Sequence, residues 1–188
     1  MWGWAYSLPY HGDGWWYISR FSGSLLHSTH PPPFSGRPIA SVIQALEYCN
    51  DPYQCEWTPN TDTKKLSIAE MKCLTRADEA LFKLGNSNFL LSILYSGLKE
   101  PIFDTTKQAF SAIANLPNHQ GEVLDKCFQR TLLAAKTSRS FSHGGVIFIG
   151  ADLSSLEMHA WIIENGQQPD HEDRSWINYR PLLAIVNS

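Results

Sequence analysis

The 188-residue chain reads as an α+β protein. Three observations predict that class. Apolar residues recur at helical spacing through much of residues 66–135. The strand signals follow: the fully apolar Val146-Ile147-Phe148-Ile149, the run Met158 to Ile163 ending in Asn165-Gly166, and Arg180 to Val186. Helices first and strands afterwards point to segregated layers.

The remaining elements follow in chain order. Residues 1–30 are β-rich: Trp15-Trp16-Tyr17-Ile18 and Ser24-Leu25-Leu26-His27 read as two strands, with Ser22-Gly23 as the turn. Four of the seven tryptophans fall within the first sixteen residues, which marks either a partner surface or a core layer. Pro31-Pro32-Pro33 breaks the chain, and Pro38 to Tyr48 is expected to be a short amphipathic helix with Ile39, Val42, Ile43 and Leu46 on one face. Few long apolar side chains occur in 51–65, so a boundary is expected there, dividing an N-terminal element (1–60) from a second domain (61–188). Leu66 to Leu84 is a long helix with Gly85 just past its end, Phe89 to Tyr95 a buried helix, and Thr105 to Asn115 an amphipathic one.

Composition excludes several functions. At 43% hydrophobic and 18% charged, the chain can bury a sizeable core. A net charge of −3 offers no basic surface for nucleic acid or an anionic membrane. No apolar run is long enough to span a bilayer, and no charged-then-apolar leader opens the chain, so a cytoplasmic protein is expected. Cys49, Cys55, Cys73 and Cys127 are spaced too widely for a disulfide scaffold or a zinc motif. The sequence contains no repeats, no phosphate-binding loop and no dinucleotide fingerprint.

Two stretches carry chemistry. His159 lies on the strand that ends in Asn165-Gly166, the strongest short signal for a two-residue hairpin. A strand can fix the direction of an imidazole, as a general base requires. By itself such a histidine is more often a half-buried core residue. Upstream, Leu124, Cys127, Phe128, Leu132 and Ala135 recur at helical spacing, and Asp125 suits an N-cap. Cys127 then falls in a first helical turn, where the backbone N–H groups and the helix dipole favour thiolate. The competing reading is a small buried core thiol. A carboxylate to orient the imidazole is the third requirement. An ideal Asn-Gly hairpin sets Glu164 opposite Gln167 and Trp161 opposite Asp170, with Asp170 diagonal to His159 on one face. A bulge at Pro169 would present His171 or Asp173 instead. Donors for an oxyanion are sought in the Cys127 backbone N–H and, upstream, Gln120.

The order of Asp125-Lys126-Cys127 opening a helix, the strand Gly145 to Gly150, and His159-Ala160-Trp161 with Gly166 closing a hairpin resembles the lasso-peptide biosynthesis B proteins. These are transglutaminase-like, papain-type cysteine proteases that remove the leader from a lasso-peptide precursor. The likeness covers residues 105–188 well and 61–104 more loosely. It implies a papain/transglutaminase-like core, helices followed by a small antiparallel sheet, with Cys127 as nucleophile and His159 as base. The family's acid falls where this chain has His171, a departure that leaves Asp170 as first choice and Asp173 as second. The resemblance also implies no cofactor for hydrolysis. Its partners would be the precursor's leader region and an asparagine-synthetase-like cyclase that uses ATP. Residues 1–50 resemble a leader-recognition element weakly.

Two other function classes stay open at this stage. One is an acyltransferase on the same framework, separable by product mass. The other is a leader-binding chaperone whose protease half is inactive, motivated by the displaced acid and the Trp-rich N-terminus. A metal site at His143, His159 and His171 matches no ligand spacing.

Overall fold

The computed structural model describes residues 2–7, 15–18, 25–29, 37–50, 65–87, 101–114, 126–152, 154–155, 157–170 and 175–187. Their elements are β1 (Trp2–Ser7), β2 (Trp15–Ile18), β3 (Leu25–Ser28), α1 (Arg37–Asn50), α2 (Ile68–Ser87), α3 (Thr106–Ala114), α4 (Lys126–Thr137), β4 (Val146–Ala151), β5 (Met158–Ile163) and β6 (Arg180–Asn187). Short 3₁₀ turns at Ser140–His143 and Ser175–Asn178 lead into β4 and β6. The protein is mixed α+β, as the order of signals predicts. The expected helix over Phe89 to Tyr95 lies outside the described residues.

The strands form one antiparallel sheet in the order β3-β2-β1-β6-β4-β5. The block β6-β4-β5 carries the core, with β4 in the middle and β5 at the edge. Side chains alternate between the two faces of a strand, and here both faces are covered. On one face Ile147, Ile149, Ala160, Ile162 and Ile185 pack with Leu132, Leu133, Phe110 and Leu74 from α4, α3 and α2. On the other, Val146, Phe148, Trp161, Ile163, Ala184 and Val186 pack with Val42 and Ala45 of α1 and with Trp176. Two-sided burial explains why β4 reads as an unbroken apolar run.

The expected boundary near residue 60 falls outside the described residues. On its N-terminal side, β1 hydrogen-bonds to β6 with Ala5 opposite Ile185 and Ser7 opposite Leu183, and α1 caps the second core cluster. The N-terminal strands therefore continue the sheet of the C-terminal part. Strand β1 was not among the two strands read from the sequence. Its tryptophans and Gly3 obscure the alternation that a half-buried strand would display.

Helix α2 begins two residues later than its periodicity suggests and runs through Gly85 to Ser87. Its start is fixed by a reciprocal capping box. The Ser67 hydroxyl accepts from the Glu70 N–H at 3.2 Å, and the Glu70 carboxylate accepts from the Ser67 N–H at 2.8 Å. At the other end of the helical layer, the Ile102 and Phe103 N–H groups donate to the Thr137 carbonyl at 2.8 and 2.9 Å. The hydroxyls of Thr106, Ser138 and Ser140 bond to one another, and the Ser140 hydroxyl accepts from the Thr106 N–H. This network joins the start of α3 to the end of α4 and satisfies backbone groups that helix ends leave open.

One core position is costly. Lys136, in the last turn of α4, is only 7% exposed. Burial pushes its amine down to about 7. Below that pH both folded and unfolded chains hold the proton, and the folded chain bears a buried charge. Between about 7 and the ordinary value of 10.5 the unfolded chain alone holds it, so stability climbs with pH across that window. Lys136→Met removes the charge at similar volume. It is expected to stabilise the fold by about 1–3 kcal/mol at pH 6 and by clearly less at pH 9, as read from urea denaturation midpoints.

Candidate active site

The hairpin after β5 forms as its residues dictate. Asn165 and Gly166 both have positive φ, 51° and 76°, the signature of a type I′ turn. Glu164 and Gln167 exchange backbone hydrogen bonds at 2.9 and 3.0 Å, the pairing expected from the sequence. Gly166 is also required sterically, because a Cβ there would lie 2.6 Å from the Tyr48 hydroxyl of α1.

Helix α4 lies along β5 and runs in the same direction. The Thr131 hydroxyl donates to the Ala160 carbonyl at 3.1 Å, which anchors the helix directly to the edge-strand backbone. Beyond the helix end, Gly144 sits 3.5 Å (measured from an ideal Cβ) from the Asn165 side chain at the far end of β5. The first turn of α4 is therefore at the end of β5 where that strand begins. Cys127, second residue of the helix, and His159, second residue of the strand, belong to that same end, and both are half-buried. Cys49, Cys73 and Cys127 are thiols and not disulfide partners.

The two side chains come from different faces of the strand. Cys127 packs against the cluster that holds Ala160 and Ile162. His159 follows the pleat with Trp161, opposite Gly150 of β4. Its ring stacks on Trp161 at a centroid distance of 6.1 Å and an interplanar angle of 14°. The Tyr179 ring lies 4.9 Å from it, tilted by 30°. The thiol and the imidazole therefore lie on opposite faces of the sheet, near the start of its edge strand.

Asp170 lies elsewhere than the ideal hairpin puts it. The ladder ends at Glu164 and Gln167, and the chain leaves it at Gln168-Pro169, where proline cannot donate. The buried Asp170 carboxylate accepts a charge-assisted hydrogen bond from the Arg130 guanidinium of α4, which also rests over the Phe110 ring. Arg130, one turn beyond Cys127, was not singled out in the sequence; a lone arginine on a helix carries no signal of a partner 40 residues away. Asp173, Gln120, His171 and the N-cap position Asp125 lie outside the described residues. His143 Nδ1 lies 3.2 Å from both the Arg139 carbonyl oxygen, an acceptor, and the Ser142 hydroxyl, near the start of β4 and at the opposite end of the sheet from His159. Among the described residues no group of three His, Cys, Asp or Glu side chains is arranged to hold a metal ion, and no helix is long and apolar enough to cross a membrane.

No protein-family model matches the chain, and comparison with curated proteins and with solved structures gave no match.

The ion pair fixes one expected outcome. Removing either partner leaves the other charge poorly compensated. A fully buried pair loses about 3–5 kcal/mol in this way. Here Arg130 keeps 24% side-chain exposure and Asp170 10%, so water recovers part of the loss. Asp170→Asn is expected to cost about 1–3 kcal/mol in urea denaturation, and the Arg130→Met/Asp170→Asn double variant less than the sum of the singles.

Proposed function

We propose that the chain is a cysteine endopeptidase of the papain/transglutaminase-like type, which cuts the leader from a ribosomal precursor during lasso-peptide maturation. The observation that carries the reading is the course of α4 along β5. It brings a helix-start cysteine and a strand-start histidine to one end of an antiparallel sheet. The lasso-specific part rests on the sequence resemblance alone.

In this reading the Cys127 thiolate, favoured by the N-terminal end of α4, attacks the scissile carbonyl. His159 takes the thiol proton and returns a proton to the leaving amine. Water then attacks the acyl-enzyme, with His159 again as base. The Cys127 backbone N–H is one donor for the oxyanion and Gln120 the proposed second. The third member is proposed as Asp170 or Asp173. The Arg130 contact weighs against Asp170, whose carboxylate already serves a guanidinium. The leader, and a cyclase that brings ATP, are the proposed partners, and hydrolysis itself needs no cofactor. A cytoplasmic location belongs to the same proposal.

The same contact favours a second reading, a leader-binding protein whose protease half is inactive. A transfer to an amine acceptor in place of water would differ only in product mass.

Cys127→Ala is expected to fold and to lower precursor cleavage by roughly 10³-fold or more, followed by mass spectrometry with and without the cyclase and ATP. Iodoacetamide should label Cys127 fastest among the four cysteines, and more slowly in His159→Ala. Undiminished cleavage by Cys127→Ala would end the protease reading. Binding of the leader without cleavage by the unaltered chain would favour the chaperone.

A further inference from the structure

The imidazole of His159 packs on two aromatic rings, Trp161 at 6.1 Å and Tyr179 at 4.9 Å. Trp161, 1% exposed, stacks on Phe148 at 5.7 Å and on Trp176 at 6.2 Å. Its ring lies across Gly150, where a Cβ would come within 2.7 Å of the indole and 2.5 Å of the Arg180 carbonyl oxygen. Glycine at 150 thus opens the space that lets Trp161 lie flat beside His159. Tyr179 is the second ring on the imidazole. The Tyr179 N–H donates to the Trp176 carbonyl at 3.1 Å, so the 3₁₀ turn that supports Trp161 also aims the Tyr179 ring.

We infer that Tyr179 is a positioning residue for His159: its ring and that of Trp161 clamp the imidazole and favour its protonated form. This rests on the protease reading for its consequence in catalysis, though not for the clamp itself. An aromatic face is electron-rich, so it attracts an imidazolium more than a neutral imidazole. A catalytic base that must carry a proton between thiol and leaving amine gains from both effects, a fixed ring and a stabilised cation.

Other ionisable groups at this end of the sheet are few among the described residues. Arg180 pairs in register with Ala151, itself opposite Met158, so it belongs to the other pleat face. Glu157 is exposed ahead of β5. From α4 come the Cys127 thiol and Arg130, the latter on Asp170. Gly150 and Ala151 of β4 bring no ionisable group.

The test compares Tyr179→Phe, which keeps the face, with Tyr179→Leu, which keeps apolar shielding and loses it. In full-length protein, His159 is titrated by NMR through its ring resonances. Tyr179→Leu is expected to lower the protonation constant of His159 about threefold, and Tyr179→Phe to leave it within about 1.5-fold of the parent. Tyr179→Met serves as the shielded variant if the leucine form does not fold, with the same expectation. On the precursor, the acid limb of the kcat/KM profile should shift with the titration in the leucine variant and not in the phenylalanine one. A leucine or methionine variant that titrates like the parent overturns the clamp, as does a phenylalanine variant that titrates like leucine. If the titration shifts as expected and the parent chain cleaves nothing, the clamp stands and the protease reading falls. If the parent cleaves and the titration does not move, the reverse holds.

Discussion

Burial of β4 on both faces is the constraint on which the rest of the structure depends. The six residues from Val146 to Ala151 alternate between both sides of the sheet, and five of them are buried. A strand of that kind needs a layer on each side. Helices α2, α3 and α4 form one, while α1 and the Trp176 turn form the other. Helix α1 is thereby committed to the core. Without α1, Val146, Phe148, Trp161 and Ile163 would lose part of their cover, and each large apolar side chain returned to water costs about 1.5–3 kcal/mol.

The candidate site is a by-product of how α4 meets the sheet edge. A hydroxyl of α4 bonds the β5 backbone, and a guanidinium of α4 holds the chain just past the hairpin. Both contacts come from consecutive residues, Arg130 and Thr131. Cys127 sits one turn earlier on the same helix. The helix is thus pinned close to the end that carries Cys127. The hydroxyl network with Thr106, Ser138 and Ser140 secures its other end. Movement of the first turns of α4 against the sheet is resisted by the Arg130 and Thr131 contacts.

Much of this was legible in the sequence wherever the signal is local. The Asn165-Gly166 turn, the apolar run of β4 and the periodicity of α3 and α4 each follow from nearest neighbours along the chain. The Ser67–Glu70 box was equally local and readable, though overlooked in favour of the apolar start at Leu66. What escaped was set by tertiary contact. The hairpin parity put Asp170 beside Trp161, but a proline ended the ladder and a distant arginine captured the carboxylate. Pleat parity put His159 on one face with Trp161, and the two rings do stack. It could not have shown that Tyr179 lies beyond, since that contact depends on the 3₁₀ turn before β6. Strand β1 finds its place only through β6, whose sequence lies at the opposite end of the chain.

That last pairing has a kinetic meaning. Trp2 stands opposite Asn187, and Ser7 opposite Leu183, so adjacent rungs of the sheet join residues separated by almost the whole sequence. Closing a loop of that size is entropically costly before any contact rewards it. On a ribosome, residues 2–7 would emerge early and wait for 180–187 before their ladder could form. Until then β1 is an unpaired edge, open to association with other chains. The sheet is a clasp fastened by β6, which is made after the other described strands.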